Sequence, residues 1–136
     1  MRPPEEVKRD LVRQWLAKAD EDLNAAKALL SLGTSFSSTI GFHCQQAAEK
    51  YFKAFLTWQQ IEFPKTHDLG LLLGLISTAD PSLTESLNEV AILNPYGVEI
   101  RYPGDVPEIN SDEAAEAVEL AEKVREAIQG ALETKE

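Results

Sequence analysis

Apolar residues recur every three or four positions in two long stretches of the N-terminal half. The first runs from about Lys8 to Gly33, and its apolar stripe consists of Leu11, Trp15, Ala19, Leu23, Ala26 and Leu30. The second runs from about Ser35 to Gln60, and its wider stripe consists of Ile40, Cys44, Ala47, Ala48, Tyr51, Phe52, Phe55, Leu56 and Trp58. This spacing is that of one face of an α-helix. We therefore predict two long helices, the second buried against more than one neighbour.

Two shorter helices are predicted next, after a connector that Pro64 interrupts. The run LGLLLGLI lies at the centre of the first, from about residue 68 to residue 78. This helix is too short to span a membrane, so we expect it in the core. Asp80 and Pro81 suit the start of the second, because proline is tolerated in the first turn of a helix. This second helix is predicted to end before Pro95.

The C-terminal region predicts one more long helix. Asn110 or Ser111 is the expected N-cap, and the inner stripe would consist of Ala114, Ala117, Ala121, Val124, Ile128 and Leu132. The sequence has no strand pattern, and its connections are mostly short, which favours antiparallel neighbours. The predicted fold is all-α, an up-and-down bundle of four to five helices. We expect one domain over residues 1–136, with a core at about 10–134 and a flexible N-terminus at 1–7.

Charge is distributed unevenly along the chain. The net charge is −10; residues 1–79 carry nine acidic and nine basic residues, and residues 80–136 carry fourteen and four. This excess of acid argues against general binding to DNA or RNA, which needs many basic contacts to phosphates. Cys44 is the only cysteine. It has no partner for an internal disulfide, so a reducing, cytoplasmic location is expected.

The common enzyme motifs are missing. There is no glycine-rich phosphate loop and no GxSxG elbow. The sequence has two histidines, His43 and His67, which lie 24 positions apart, and with one cysteine they make a poor zinc set. We therefore expect neither a metal site nor a required cofactor.

A group of basic and aromatic residues remains as the candidate site. Lys50, Lys53, Lys65, His67 and Arg101 would form an anion site if the fold brought them together, and a helix N-terminus near His67 would add free N–H groups. Such a site suits the phosphate of a nucleotide. Tyr102 follows Arg101 in the RYP loop, where its ring would stack on a base of any kind.

Several residues in and around the candidate site also have a purely structural interpretation. His43 would be a partly buried, hydrogen-bonded residue, and Cys44 a small buried apolar one. Gln45 and Gln46 would bond to helix ends or to a partner chain. His67 and Asp68 would cap the third helix. Arg101 would pair with a carboxylate of the last helix.

Four segments, taken together, resemble the HEPN domain. They are WLAKADEDLNAAKALL, FHCQQAAEKYFKAFL, KTHDLGLLL and RYPG, in this order, and the resemblance extends from about Trp15 to the end of the last helix. It implies a helical bundle that is commonly a homodimer. It also implies a partner, a minimal nucleotidyltransferase, in a nucleotide-handling or toxin–antitoxin pair.

Some HEPN proteins are metal-independent ribonucleases that carry an arginine, then four to six residues, then a histidine. Here no arginine precedes His43 or His67 at that spacing, and no histidine follows Arg101. The resemblance therefore implies that Arg101 binds rather than cuts, and we assign no catalytic residue.

The leading hypothesis is a non-catalytic binding module for a nucleotide such as ATP. Lys50, Lys53, His67 and Arg101 would contact the phosphates or form hydrogen bonds, and Tyr102 would stack on the base. One alternative is an atypical HEPN ribonuclease toxin whose general acid or base is Tyr102, Asp105 or a histidine brought close by folding. Another is a pure protein–protein interaction module that docks a partner helix.

Overall fold

The computed structural model of the protein describes residues 4–97 and 109–134. Five α-helices lie in this part of the chain: α1 (Pro4–Ser31), α2 (Ser37–Trp58), α3 (Leu69–Ser77), α4 (Pro81–Ser86) and α5 (Ser111–Thr134). A short 3-10 helix (Thr34–Phe36) precedes α2, and a longer one (Asn88–Gly97) follows α4. The described residues contain no strand, so the all-α helical bundle is confirmed. None of the described helices is both long and apolar enough to cross a bilayer.

Helix α2 is the centre of the bundle. It packs against α1, α3, α5 and the longer 3-10 helix. Of its 22 residues, 14 are buried, and Tyr51, Phe52 and Phe55 are among the largest fully buried side chains. The prediction that α2 is buried against several neighbours is therefore confirmed. Most polar side chains on this helix must find partners inside the protein.

The start and register of α1 differ from the prediction. The helix begins at Pro4, whose missing N–H costs nothing in a first turn, so residues 4–7 belong to α1 and not to a segment before it. Leu11 is exposed, and Val12 is buried in its place. The reason is helical geometry. Val12 lies seven residues before Ala19, about 20° away around the helix, whereas Leu11 lies eight before it, about 80° away.

The single helix predicted from Pro81 to just before Pro95 is divided in the structure: α4 ends at Ser86, and the longer 3-10 helix continues through Pro95 to Gly97. Leu87, at the end of α4, and Val90 and Leu93 are all buried. Their spacing of three is the repeat of a 3-10 helix, so the tighter coil keeps one apolar face on the core. This extension carries the chain back across α2.

Helix α5 begins with a reciprocal capping arrangement. The backbone N–H of Glu113 donates to Asn110 Oδ1 at 2.8 Å, and the backbone N–H of Asn110 donates to Glu113 Oε1 at 3.1 Å. Of the two predicted caps, Asn110 is therefore the N-cap, and Ser111 is the first helical residue. The six residues predicted for the inner stripe of α5 are all buried.

Asp20 of α1 joins three helices. The hydroxyl of Tyr51 on α2 donates to Asp20 Oδ1, and Nε of Arg125 on α5 donates to the same oxygen at 3.3 Å. Burial raises the pKa of Tyr51, and the hydrogen bond to Asp20 adds to the effect. This shared carboxylate oxygen links α1, α2 and α5.

Cys44 is fully buried on the inner face of α2, which confirms the interpretation of this residue as a small apolar one. Burial raises the pKa of its thiol to about 12, and the Asp22 carboxylate acts in the same direction. Because the thiolate is the reactive form of cysteine, Cys44 is an inert structural residue at neutral pH.

We expect Cys44 to make stability fall as the pH rises from about 9 to about 12. The ordinary pKa of the thiol is 9.0, so the unfolded chain loses this proton first, while the folded chain keeps it until about pH 12. The contribution is therefore fully present below pH 9 and is lost across that window. Urea unfolding across this range should show a shallower pH dependence in Cys44→Ala than in the wild type. Identical pH profiles would contradict the assignment.

Candidate functional site around Glu49

Three polar residues lie one turn apart on the buried side of α2. Gln45 is fully buried, and the side chains of Glu49 and Lys53 are only 4% and 8% exposed. Burying a charged group costs several kcal/mol unless it is paired and hydrogen-bonded, so their partners decide whether the cluster is stable.

Glu49 is the hub of this cluster. Its Oε2 accepts a hydrogen bond from Lys53 Nζ at 3.0 Å, and its Oε1 lies 2.7 Å from His67 Nδ1. Gln45 Nε2 lies 3.5 Å from the same Oε1, a long contact. We name the set of Gln45, Glu49, Lys53 and His67 the Glu49 cluster. Of the residues predicted for one site, the structure brings Lys53 and His67 together here.

Two aromatic rings complete the surroundings of Lys53. Its ammonium lies 5.6 Å from the ring centroid of Trp15 on α1 and 5.9 Å from that of Phe63 in the connector. The two rings meet edge to face, with centroids 6.3 Å apart. These distances are within the range of cation–π attraction. The positive charge of Lys53 is thus held by one carboxylate and two rings.

Hydrogen bonds hold the last two residues of the connector that leads into α3, His67 and Asp68. Gln45 Nε2 donates to the backbone oxygen of His67 at 2.8 Å. Asp68 Oδ1 accepts from the backbone N–H of Gly70 at 2.9 Å and from Asn94 Nδ2 at 3.0 Å. The capping interpretation is therefore confirmed for Asp68, whereas the imidazole of His67 faces Glu49.

Gly97 and Ile109, the residues that flank segment 98–108, both lie against α2. Gly97 is buried against Gln45, and a Cβ atom on Gly97 would lie 2.4 Å from Gln45 Cδ. A Cβ on Gly41 of α2 would lie 3.0 Å from side-chain atoms of Tyr96 and Ile109. Both ends of the segment thus lie against the first half of α2. Arg101 and Tyr102 belong to the segment and lie outside the described residues.

Lys50 belongs to a second cluster, on the side of α2 that faces α1. Asp22 Oδ1 lies 2.9 Å from His43 Nδ1, and Asp22 Oδ2 accepts from Lys50 Nζ at 2.5 Å. The structure therefore places Lys50 with Asp22 and not with the Glu49 cluster. His43 is partly buried and hydrogen-bonded, as its structural interpretation predicts. Gln46 lies between the two clusters and donates to Gln45 Oε1 at 2.8 Å.

Sequence reasoning missed both carboxylates that organise these clusters, Glu49 and Asp22. A signal for Glu49 was present, because it lies four residues before Lys53, the spacing of helical ion pairs, and next to the widened apolar stripe. The pairing of Asp22 with His43 and Lys50 bridges two helices and has no local signature. Lys65, the remaining predicted base, is exposed in the connector.

One other cleft of the described surface suits a phosphate poorly. A cleft of about 570 Å³ between the longer 3-10 helix and α5 is lined by one lysine, Lys123, and four acids: Glu89, Asp112, Glu116 and Glu119. Its negative charge repels an anion. Among residues 4–97 and 109–134, no three His, Cys, Asp or Glu side chains are grouped so that they could hold a metal ion.

A family model described as the HEPN domain matches residues 12–131. The chain belongs to the HEPN family. The Glu49 cluster, the α3 connector and both ends of segment 98–108 all lie within the matched residues. No curated protein matches the chain.

Two crystal structures resemble this HEPN domain. One, an archaeal HEPN homologue, is 26% identical, with a TM-score of 0.70. The other, TT1696 from Thermus thermophilus, is 29% identical, with a TM-score of 0.69. In each case the match covers 88% of this chain and 96% of the other. The similarity thus extends over nearly the whole bundle.

Proposed function

We propose that this HEPN domain is a non-catalytic module that binds a nucleotide or another phosphate ligand at the Glu49 cluster. The observation that supports this most is a buried ion pair beneath a single exposed histidine, in a cluster whose Gln45 lies against Gly97, the residue before segment 98–108. Arg101 and Tyr102, carried by that segment, would complete the site. In this proposal the domain dimerises and serves a minimal nucleotidyltransferase, in a nucleotide-handling or toxin–antitoxin-like pair, as the family resemblance implies.

The energetics of the cluster favour a role beyond stability. A buried ion pair is often no more stabilising than two well-packed apolar residues of similar volume. Helix α2 is otherwise rich in such residues, so an apolar pair at positions 49 and 53 would suit the fold equally well. The ion pair is explained if its purpose is to hold the ring of His67 in one orientation at the surface.

The charges of the cluster favour Arg101 as the residue that contacts the phosphate in this proposal. Lys53 faces Glu49, and Lys50 faces Asp22, so neither ammonium provides uncompensated positive charge. In this proposal the lysines hold the carboxylates that orient the histidines and contact a phosphate only secondarily. An arginine makes two parallel hydrogen bonds to a phosphate. Tyr102, next in sequence, is suited to stack on the base.

We expect Arg101→Ala to lower the affinity for ATP at least about tenfold, since a charge-assisted hydrogen bond contributes about 1.5–3 kcal/mol. Titration calorimetry of the purified protein with ATP measures this directly. Arg13→Ala is the matched control, because the side chain of Arg13 is 74% exposed and pairs only with Asp10 of its own helix among the contacts described. Equal affinity in the wild type and Arg101→Ala would contradict the proposed site.

One observation favours the atypical ribonuclease as a second candidate. His67 is an exposed histidine oriented by a carboxylate, and Gln45 joins its backbone to the surroundings of Gly97, the residue before the segment that carries Arg101. The usual Arg-to-His spacing is missing. Incubation of the purified protein with RNA tests this candidate. RNA cleavage that is lost in His67→Ala would favour the nuclease over the binding module. Intact RNA would rule out the nuclease.

A further inference from the structure

We propose that the outer face of α1 is an interface at which two copies of this chain pack as an antiparallel pair of helices. This proposal rests on the proposed function, which includes a dimer, and it names the surface through which that dimer forms. It does not depend on nucleotide binding at the Glu49 cluster.

A second stripe of residues runs along α1, separate from the buried one. Its members follow one another at alternating spacings of four and three, the repeat by which helices pair in coiled coils. This outer stripe consists of Val7, Leu11, Gln14, Lys18, Glu21, Ala25, Ala28 and Leu32. Lys18 lies about 100° around the helix from the buried Ala19. Seven of the eight members are exposed in the structure, and Ala25 is half-buried.

The two ends of the outer stripe are apolar although they are exposed. The exposed fractions are 39% for Val7, 44% for Leu11 and 70% for Leu32. These are three of the six large hydrophobic residues that are exposed in the described part of the chain. A single exposed apolar residue is ordinary, whereas several along one line indicate a surface that another molecule covers.

The middle of the outer stripe indicates which molecule covers it. Lys18 and Glu21 have opposite charges and lie at equal distances from the midpoint of the stripe, between residues 19 and 20. Within residues 4–97 and 109–134, neither of them forms a salt bridge in its own chain. In an antiparallel pair about a two-fold axis at that midpoint, Lys18 faces Glu21 of the partner subunit, and each apolar end faces the other. The stripe is therefore complementary to itself.

The same charges set the direction of the pair. A parallel pair in register would bring Lys18 against Lys18 of the partner subunit and Glu21 against Glu21 of the partner subunit. Like charges placed opposite each other disfavour an interface, whereas the antiparallel pair makes two contacts between opposite charges. Charged residues within a helix pair commonly determine its register and orientation in this way.

A hollow of about 160 Å³ lies on this face of α1, lined by Leu11, Gln14, Trp15 and Lys18. Four residues at this spacing form the hole that receives a side chain from a facing helix in coiled-coil packing. The two-fold pairing places Ala25 of the partner subunit opposite the hollow. A small residue there lets the two helices approach closely.

Trp15 connects this surface to the Glu49 cluster. Its ring lines the hollow, and the same ring lies 5.6 Å from Lys53 Nζ. In the dimer, the partner subunit therefore packs beside the ring that faces the Lys53 ammonium, so each Glu49 cluster lies close to the interface.

Exchange of the two central charges tests the interface, with sedimentation equilibrium as the measure of the dissociation constant of the dimer. Lys18→Glu and Glu21→Lys each place like charges at both symmetry-related contacts, so each should weaken self-association at least about tenfold. The double variant restores opposite charges at both contacts and should associate like the wild type. An equimolar mixture of the two single variants should form a heterodimer, because every central pair is then complementary.

Two further variants control for the general effects of charge. Arg13→Glu makes the same reversal on α1 about 140° around the helix from Lys18, and it should leave the dissociation constant unchanged. Leu11→Asp places a charge in an apolar end of the interface and should abolish the dimer. All of the changed side chains are exposed, so circular dichroism should show every variant folded.

Unchanged self-association in both single variants would overturn the proposed interface, and so would a double variant that stays as weak as the single ones. In either case the dimer of the proposed function would stand and would use another face. A wild type that is monomeric at every concentration would overturn the interface and the dimer together. Titration of the wild type with ATP would still test the nucleotide site separately.

Discussion

Replacing Glu49 with glutamine is expected to lower the free energy of unfolding by about 3–5 kcal/mol. The amide cannot neutralise Lys53, so the substitution leaves an ammonium buried without its carboxylate. It also leaves one acceptor oxygen where the carboxylate has two, so Lys53 Nζ and His67 Nδ1 cannot both keep their partner. Urea unfolding at neutral pH, followed by circular dichroism, measures the loss.

Two control variants separate the loss of the pair from the loss of a single charge. The double substitution Glu49→Leu with Lys53→Met replaces both charges, and the introduced methionine side chain would pack against the rings of Trp15 and Phe63. Its stability should lie within about 1 kcal/mol of the wild type or above it. Glu62→Gln, on the exposed part of the connector, should change stability by less than about 0.5 kcal/mol. Wild-type stability in Glu49→Gln would show that Glu49 does not hold Lys53.

Replacing Gly97 with alanine is expected to cost about 1–3 kcal/mol, because the added methyl group overpacks the interface with α2. The new Cβ would lie 2.4 Å from Cδ and 2.5 Å from Oε1 of Gln45. Gln45 cannot move away without losing its hydrogen bond to the backbone of His67. The same change should weaken ATP binding, because segment 98–108 begins at the next residue. Thermal unfolding and calorimetry measure the two effects.

Gly74 provides the control for Gly97. A Cβ on Gly74, in α3, meets no atom within 4 Å, so Gly74→Ala should stabilise the helix by about 0.5–1 kcal/mol. The double substitution Gln45→Ala with Gly97→Ala removes the clash. It should therefore cost less stability than the sum of the two single substitutions. Simple additivity of the two single changes would mean that Gly97 and Gln45 do not touch as described.

The fold could be predicted from the sequence because apolar spacing determines which helix faces are buried. The six-residue stripe of α5 was correct at every position. The errors arose where two registers are nearly equivalent or where a rule is usual but not strict. Leu11 and Val12 are both apolar, and only the position of Ala19 decides between them. Pro95 ends most α-helices, but it is tolerated in the 3-10 helix that continues to Gly97.

The candidate site was predictable only in part. Lys53 and His67 were selected because both side chains can bind an anion or form hydrogen bonds, and both contact Glu49 in the structure. Glu49, their shared partner, was overlooked because a glutamate on a helix usually faces solvent. Its burial depends on a connector that returns to α2 eighteen residues later in the sequence. Lys50 lies only three residues from Lys53, but α1 supplies Asp22 as its partner, a contact that no local pattern encodes.

Titration of ATP into the wild type and into the Glu49→Leu, Lys53→Met double variant tests the central claim most directly. The claim is that the Glu49 cluster exists to orient a ligand-binding histidine and not to stabilise the fold. The predicted result is saturable binding by the wild type and at least about tenfold weaker binding by a double variant of equal stability. Unchanged ATP affinity in the folded double variant would contradict the claim.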